Sequence, residues 1–244
     1  MTSMFSKTIQ SFLSQLSKNP ALLRRDVAAG LTDIKKRLHS QGDANSQGTG
    51  NQVTDQETCF AATLEECGFK YSSVIKPPAA AGLYYIYQVN GTQRSIDFQA
   101  YDWVDGMKRG MVNFDLKHTK TETFFLNDGW FHENIVYVIS WMRKGEPEAR
   151  VQGKGLSPQG KVSLKKNVVE AATFIALGQE IPTEEEVTLY EELCAIKKKY
   201  NTDYKGAGSF HCYLRFANTY KCDRFTSEFT DECLAKTTQF VEGL

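Results

Sequence analysis

Two aspartates and a lysine have the residue types and the spacing that metal-dependent hydrolysis requires. Asp97 and Asp115 lie 18 residues apart in the chain, and Lys117 follows Asp115 by two positions. Two carboxylates, completed by a backbone carbonyl and waters, are the hard oxygen ligands that Mg²⁺ prefers. An ammonium group beside such an ion can hold an attacking water and stabilise a pentacovalent phosphate. The three side chains therefore predict phosphodiester hydrolysis, and the alternative is a strand face whose mixed charges are merely solvated.

Period-two alternation places these side chains on one face of two successive strands. Residues 95–101 and 111–117 both alternate apolar with polar side chains, and the dipeptide Asp105-Gly106 predicts a turn between them. Asp97 falls on the polar side of the first strand. Asp115 and Lys117 fall on the polar side of the next strand. The two carboxylates and the amine are therefore expected to converge.

The rest of the pattern predicts an α/β fold with a mixed central sheet. A strand is expected at 83–87, and the apolar run 135–141 predicts a strand that is covered on both faces. A helix is expected to begin after Thr54, with Glu57 at the capping-box spacing, and to end at Gly68. The C-terminal third is expected to contain two helices and one strand, at 168–177, 184–198 and 210–216.

The chain divides into an appendage, a linker and a main domain. Residues 1–39 predict an N-terminal helical appendage with two amphipathic helices, at 4–17 and 21–38. Residues 40–52 contain no large apolar side chain, which is typical of a flexible linker. The main domain is then 53–244, and the helical appendage is a candidate dimer interface.

Composition excludes several classes of protein. The 29 Lys+Arg balance the 29 Asp+Glu, so a strongly basic structural nucleic-acid binder and a polyanionic tail protein are not expected. The six cysteines form no Cys-x-x-Cys pair, which argues against a zinc finger and a disulfide frame. No apolar run approaches the ~20 residues of a membrane span, and the N-terminus lacks a signal-peptide core. A cytoplasmic protein without a membrane partner is therefore expected.

Positive charge is nevertheless concentrated in one stretch of the sequence. Residues 143–166 contain seven Lys/Arg against two Glu and are rich in glycine. This stretch predicts a loop beside the active site that contacts DNA phosphates, although an ordinary solvated loop has the same composition. Its candidate DNA-binding residues are Arg143, Lys144, Arg150, Lys154 and Lys161.

Four segments in order resemble the PD-(D/E)xK type II restriction endonucleases. They are 85–98 (YIYQVNGTQRSIDF), 114–120 (FDLKHTK), 124–130 (FFLNDGW) and 135–139 (IVYVI), within a match that covers about 83–141. Several members carry NG(S/T)Q-x-x-PDF before the (D/E)xK strand, and then an aromatic-Asn-Asp/Cys-Gly segment before a buried strand. Ile96 stands where the family has proline, and Asp115 replaces the commoner glutamate.

The resemblance implies a restriction-endonuclease-like mixed sheet flanked by helices. It also implies a type II site-specific deoxyribonuclease that uses Mg²⁺ to cut double-stranded DNA at a short sequence. By this resemblance Asp97 and Asp115 would bind the metal, and Lys117 would orient or activate the water. Gln93 and Asn127 stand at matching positions and would position the backbone or the scissile phosphate.

The family often adds a glutamate from the helix before the first strand. Glu57 is the candidate, because it lies on the helical stripe that must face the sheet, whereas Glu65 and Glu66 fall off that stripe. The alternative for Glu57 is a plain capping-box role.

Cutting both strands of a palindrome is easiest for a twofold homodimer, and a companion DNA methyltransferase acting on the same site would accompany a restriction enzyme. Two alternatives remain open. The first is a repair or recombination nuclease of the same fold that acts on branched or single-stranded ends, and the second is a non-catalytic DNA-binding or interaction module.

Overall fold

The computed structural model describes residues 2–27, 30–45, 53–73, 76–89, 96–126, 130–144, 169–203 and 218–244. The helices in these segments are α1 (Met4–Lys18), α2 (Thr32–Asn45), α3 (Asp55–Glu66), α4 (Glu184–Asp203) and α5 (Ser227–Glu242). The strands are β1 (Lys70–Tyr71), β2 (Gly82–Tyr87), β3 (Phe98–Val104), β4 (Met107–His118), β5 (Thr123–Leu126), β6 (Ile135–Lys144), β7 (Val169–Leu177) and β8 (Asn218–Lys221).

Six of these strands form a mixed central sheet in the order β1-β2-β3-β4-β6-β7. Strands β2, β3 and β4 are successively antiparallel, β6 runs parallel to β4, and β7 is antiparallel to β6. Strands β5 and β8 pair in a separate two-stranded sheet. The predicted α/β fold with a mixed central sheet is confirmed at this level.

A tight turn fixes the register of the β3–β4 hairpin. Asp105 and Gly106 have φ values of 52° and 76°, and Val104 pairs with Met107 across the turn. Two successive positive φ values define the primed turn whose twist matches that of the flanking strands. The turn that Asp105-Gly106 predicts is therefore confirmed.

A β-bulge in the same hairpin brings α1 against the sheet. The pairing shifts between Tyr101 and Asp102, and Gly110 is the extra residue on β4. Gly110 has a φ of 51°, and a Cβ at this position would lie 2.8 Å from the Phe5 ring. Only glycine permits both this backbone conformation and this close approach.

Helix α1 packs in the main core, which differs from the predicted appendage. The Phe12 ring lies 5.0 Å from that of Phe60 on α3 and 5.9 Å from that of Phe114 on β4. The apolar stripe of α1 is buried along its whole length, at Phe5, Ile9, Phe12, Leu13 and Leu16. This stripe is therefore covered within the chain and is not free to form the dimer interface.

The second predicted helix also differs from the structure. Pro20–Arg24 form a 3-10 turn, and α2 begins only at Thr32, after Gly30 with a φ of 125°. Helix α2 continues to Asn45, into the predicted linker, and residues 46–52 lie outside the described segments.

Residues 168–177 were expected to be helical, and this prediction is wrong. Val169–Leu177 form strand β7, which pairs with β6 from Lys144↔Val169 to Val136↔Leu177. The alanines in this segment favour a helix locally, but pairing along the open edge of β6 overrides this weak preference. Helix α4 agrees with the predicted helix at 184–198, and the predicted strand at 210–216 lies outside the described residues.

The capping box before α3 is present as predicted. Thr54 is the N-cap, and its side chain and that of Glu57 each accept from the other's backbone N–H.

Within the described segments, no helix has both the length and the apolarity of a bilayer span.

Candidate active site

Asp97 is held against β4 at the point where β3 begins. Its backbone N–H donates to the Phe114 carbonyl at 2.9 Å. Its Oδ2 accepts from the backbone N–H of Leu116 at 2.7 Å. Both bonds join Asp97 to the backbone on either side of Asp115, so the position of its carboxyl group is fixed by the sheet.

Asp115 and Lys117 meet on one face of β4. Lys117 Nζ donates to Asp115 Oδ1 at 2.5 Å. Asp115 is 2% exposed, whereas the Lys117 side chain retains 27% of its exposure. The carboxyl group of Asp97 lies within hydrogen-bonding reach of Asp115. The structure thus brings together the three side chains that the sequence predicts to converge.

The electrostatics of the pair indicate that it holds a proton near neutral pH. Burial and the charge of Asp115 raise the pKa of Asp97 to about 7, against the opposing effect of Lys117. Burial also raises the pKa of Asp115, whereas Lys117 and the hydrogen bond from Asp97 oppose that rise. Two carboxyl groups this close cannot both ionise cheaply, so the proton stays on Asp97 until the pH rises or a cation arrives.

The donor set fits a hard divalent cation. Among the described residues, no group of three or more His, Cys, Asp and Glu side chains is arranged to hold a metal ion. An ion bound by the two aspartates would therefore complete its coordination with main-chain carbonyl groups and waters, as Mg²⁺ commonly does. A divalent cation would take the place of the proton on Asp97, because it relieves the repulsion between the two carboxylates.

Glu57 caps α3 and also lies close enough to influence Asp97. Its Oε2 accepts from the Thr54 backbone N–H at 2.6 Å, and its Oε1 accepts from the Tyr87 hydroxyl at 2.7 Å. Its negative charge contributes to the raised pKa of Asp97. Both carboxylate oxygens are thus hydrogen bonded, and a metal-binding role for Glu57 stays a prediction.

A second support for Asp97 was not recognised in the sequence. The Gln88 backbone N–H donates to the Asp97 carbonyl at 2.7 Å, and Gln88 Nε2 donates to the Tyr87 hydroxyl at 2.9 Å. Tyr87 thereby links Gln88 to Glu57. The available signal was a tyrosine in an apolar strand, since a buried hydroxyl needs a partner.

Tyr137 lies beside Asp115 on the neighbouring strand β6, and its hydroxyl group is held by the backbone of His132. Tyr137 pairs with Asp115 in the parallel β4–β6 register, and its hydroxyl accepts from the His132 backbone N–H at 3.0 Å. Burial and the charge of Asp115 raise the pKa of Tyr137. A Cβ at Gly178 would lie 2.1 Å from the His132 carbonyl oxygen. A glycine on one segment therefore allows the His132 backbone to reach Tyr137.

A cleft of about 510 Å³ extends this face towards the end of β6. Trp141 lies two positions beyond Ile139, which pairs with Lys117, so Trp141 is on the same face as the lysine. The cleft is lined by the apolar rings of Trp141 and Phe225 and by charged groups of both signs, Arg143, Lys221, Glu122 and Asp223.

The predicted DNA contacts are only partly described. Arg143 is exposed and pairs with Glu170 at 3.3 Å, and Lys144 is the last residue of β6. The side chain of Lys144 lies outside the part of the chain that the structure describes. So do five other predicted site residues: Gln93, Asn127, Arg150, Lys154 and Lys161. Their roles stay predictions.

No protein-family model, curated protein or solved structure matches this chain. The geometry and the electrostatics of the site therefore carry the functional assignment.

Proposed function

We propose that this protein is a Mg²⁺-dependent endonuclease that hydrolyses phosphodiester bonds of double-stranded DNA at a short specific sequence. The observation that carries the proposal is the meeting of Asp97, Asp115 and Lys117 on one covered face of the sheet. Asp97 directly precedes β3, Asp115 and Lys117 lie two positions apart on β4, and the lysine keeps partial access to solvent.

A purely structural ion pair is a poorer explanation of this arrangement. Burying charges opposes folding unless they are fully compensated, and a second carboxyl group beside Asp115 adds repulsion instead of compensation. The result is a carboxyl group, on Asp97, whose pKa is raised to about 7. Titratable groups perturbed by both burial and a specific charged neighbour are concentrated at functional sites.

The restriction-endonuclease-like fold belongs to the same proposal. Three successive antiparallel strands, β2, β3 and β4, follow helix α3, and β6 lies parallel to β4. This order, with Asp97 directly before β3 and with Asp115 and Lys117 on β4, supports the family that the sequence resembles.

In the proposed mechanism Asp97 and Asp115 would hold Mg²⁺, which supplies a Lewis acid and lowers the pKa of bound water. Lys117 Nζ, already placed by Asp115, donates to the attacking water and to the phosphate oxygens as negative charge develops. The water oxygen bonds to phosphorus and releases a proton to solvent, and the P–O3′ bond breaks. The 3′ oxygen takes up a proton, which leaves a 5′-phosphate and a 3′-hydroxyl.

Partners follow from the same proposal. A homodimer would place two active sites across a palindrome, and its interface would use a surface other than the buried stripe of α1. A companion methyltransferase would protect host DNA at the same sequence.

Digestion of supercoiled plasmid with Mg²⁺ tests the proposal. Wild-type protein is expected to give discrete fragments, and Asp115→Ala is expected to lose at least about 10³-fold in rate while it still binds DNA in Ca²⁺. Asp102→Asn, which changes an aspartate elsewhere on β3, is the matched control and should cut normally. Run-off sequencing of the ends would give the recognition sequence and the stagger.

Two outcomes would redirect the assignment. A smear, or cutting only of branched or single-stranded DNA, would favour the repair or recombination nuclease. Equal results for wild type and Asp115→Ala in the Mg²⁺-dependent cleavage assay would overturn the proposed nuclease function.

A further inference from the structure

A hydrogen-bonded series of three side chains, called here the polar chain, ends beside the candidate active site. Lys108 Nζ donates to Gln99 Oε1 at 2.6 Å, and Gln99 Nε2 donates to Asn113 Oδ1 at 2.9 Å. Gln99 is 6% exposed, so this amide is satisfied inside the protein and not by solvent. The chain crosses the β3–β4 hairpin on the face that carries Asp115.

The direction of this chain is determined by its first member. An ammonium group can only donate, so Gln99 must turn its oxygen towards Lys108 and its NH₂ group towards Asn113. Asn113 must then present its oxygen to Gln99, which leaves its Nδ2 as the free end of the chain. Among the described residues, Nδ2 of Asn113 has no hydrogen-bond acceptor.

Nδ2 of Asn113 is therefore a hydrogen-bond donor that is available to an external acceptor. Hydrogen bonds in series polarise one another, and here the series begins at a cation, so the terminal N–H groups of Asn113 are strengthened towards a negative acceptor. Lys108 is held in place by the face of the Tyr101 ring, whose centre lies 4.6 Å from Nζ.

The position of the free end matches the proposed substrate. Asn113 precedes Asp115 by two positions on β4, so the two side chains are neighbours on one face, about 6–7 Å apart along the strand. This step is comparable with the separation of successive phosphates along a nucleic-acid strand. Neutral amide donors are common partners of phosphate oxygens in protein–DNA interfaces.

We propose that Asn113 forms a second phosphate-binding subsite, in which Nδ2 donates to a non-bridging oxygen of the phosphate next to the one that is cleaved. The subsite rests on the proposed nuclease function, because the cleaved phosphate defines its position. Gln99 and Lys108 act through Asn113 and are positioning residues.

Three variants of the full chain test the subsite. Asn113→Leu removes the donor with little change in size, and Asn113→Asp keeps an acceptor for Gln99 but replaces the donor with a carboxylate oxygen. Met111→Leu is the control, because Met111 is the preceding residue on the same face of β4 and is 42% exposed. The probes are linear plasmid fragments with Ca²⁺ for affinity, and supercoiled plasmid with Mg²⁺ for cleavage.

The subsite predicts an order of effects that a structural role would reverse. Asn113→Leu should bind DNA about tenfold more weakly than Met111→Leu, as expected for loss of one hydrogen bond to a charged group. Asn113→Asp should bind more weakly still, with an unfolding midpoint close to that of wild type. If Asn113 only holds the hairpin together, Asn113→Asp should resemble wild type and Asn113→Leu should be the poorer protein.

The outcomes separate this inference from the nuclease proposal. If wild type cuts and Asn113→Leu binds and cuts like Met111→Leu, the subsite is wrong and the nuclease stands. If wild type binds DNA without cutting it, the nuclease proposal fails and the same affinity comparison still decides the subsite. If wild type does not bind DNA, both are overturned.

Discussion

The two faces of β4 show that depth of burial does not separate packing from chemistry. Phe114 is 0% exposed and Asp115 is 2% exposed, although they are adjacent in the chain and point to opposite faces. Phe114 packs against the rings of Phe12 and Phe60, at 5.9 and 5.3 Å. Asp115 instead meets a lysine and a second aspartate.

The difference lies in what each face contributes to folding. Removal of aromatic surface from water is favourable and non-directional, so the Phe114 face stabilises the fold. The Asp115 face must compensate buried charge with specific partners, and two acids against one lysine leave the compensation incomplete. One face is optimised for stability, whereas the other retains an electrostatic imbalance that a cation would remove.

The sharpest test of this contrast compares Phe114→Ala with Asp115→Asn. Phe114→Ala should lower the free energy of unfolding by about 3–5 kcal/mol, because it leaves a cavity beside the rings of Phe12 and Phe60. Asp115→Asn should change the free energy of unfolding by less than about 1 kcal/mol, since Lys117 can then pair with an ionised Asp97. Urea denaturation of each variant gives both values. A loss of several kcal/mol in Asp115→Asn would mean that the ion pair is part of the structural core.

The next effect in size is the pH dependence of stability that Asp97 contributes. The folded-state pKa of Asp97 is raised to about 7 from an ordinary value of 3.8. Its contribution to stability is therefore fully present below about pH 4 and is lost as the pH rises through about 7. Asp97→Asn should remove this loss, and at pH 8 it should be more stable than wild type by an amount on the order of 3 kcal/mol.

Chemical denaturation at pH 5 and pH 8 measures this difference. Asp102→Asn, on the same strand, is the control and should follow the wild-type pH dependence. A wild-type protein whose stability does not fall between these pH values would contradict the proton-sharing pair.

Local patterns made much of this arrangement predictable. The Asp105-Gly106 turn, the Thr54 cap and the alternation along β4 each depend on a few neighbouring residues, and each is present in the structure. The convergence of Asp97 with Asp115 depends on the turn and the bulge together. The turn alone would set Asp97 opposite Phe114, and the extra residue Gly110 shifts the pairing by one position, to Asp115.

The rest depends on contacts between distant parts of the chain. The alanine-rich composition of β7 predicts a helix, whereas the pairing of β7 with β6 determines its conformation. The place of α1 depends on Phe5 meeting Gly110, more than a hundred positions away. The place of Tyr137 beside Asp115 likewise depends on a parallel register that no short segment encodes.

The C-terminal helix α5 was missed although it had a local signal. Thr226 caps it by accepting from the Phe229 backbone N–H, and its buried residues Cys233, Thr237 and Val241 recur every four positions. Only one of these three is strongly apolar, so the helical stripe is weak in a search for large apolar side chains.

The smallest expected effect concerns Glu57, which caps a helix of the main core and also influences Asp97. Glu57→Gln should preserve both roles in packing, since glutamine also serves in a capping box and its NH₂ group can donate to Tyr87. The free energy of unfolding should therefore change by less than about 0.5 kcal/mol, whereas Glu57→Ala should lose about 1 kcal/mol with the cap.

The rate of DNA cleavage by Glu57→Gln then distinguishes a metal-binding role of Glu57 from a positioning role. Both oxygens of Glu57 are already hydrogen bonded, so we expect the maximal rate to stay within about threefold of wild type, far from the loss of 10²-fold or more that removal of a metal-binding or electrostatic group typically brings. Because its charge helps to raise the pKa of Asp97, the pH at which cleavage is half-maximal should move to a lower value. A collapse of the maximal rate, with stability unchanged, would instead place Glu57 on the metal beside Asp97 and Asp115.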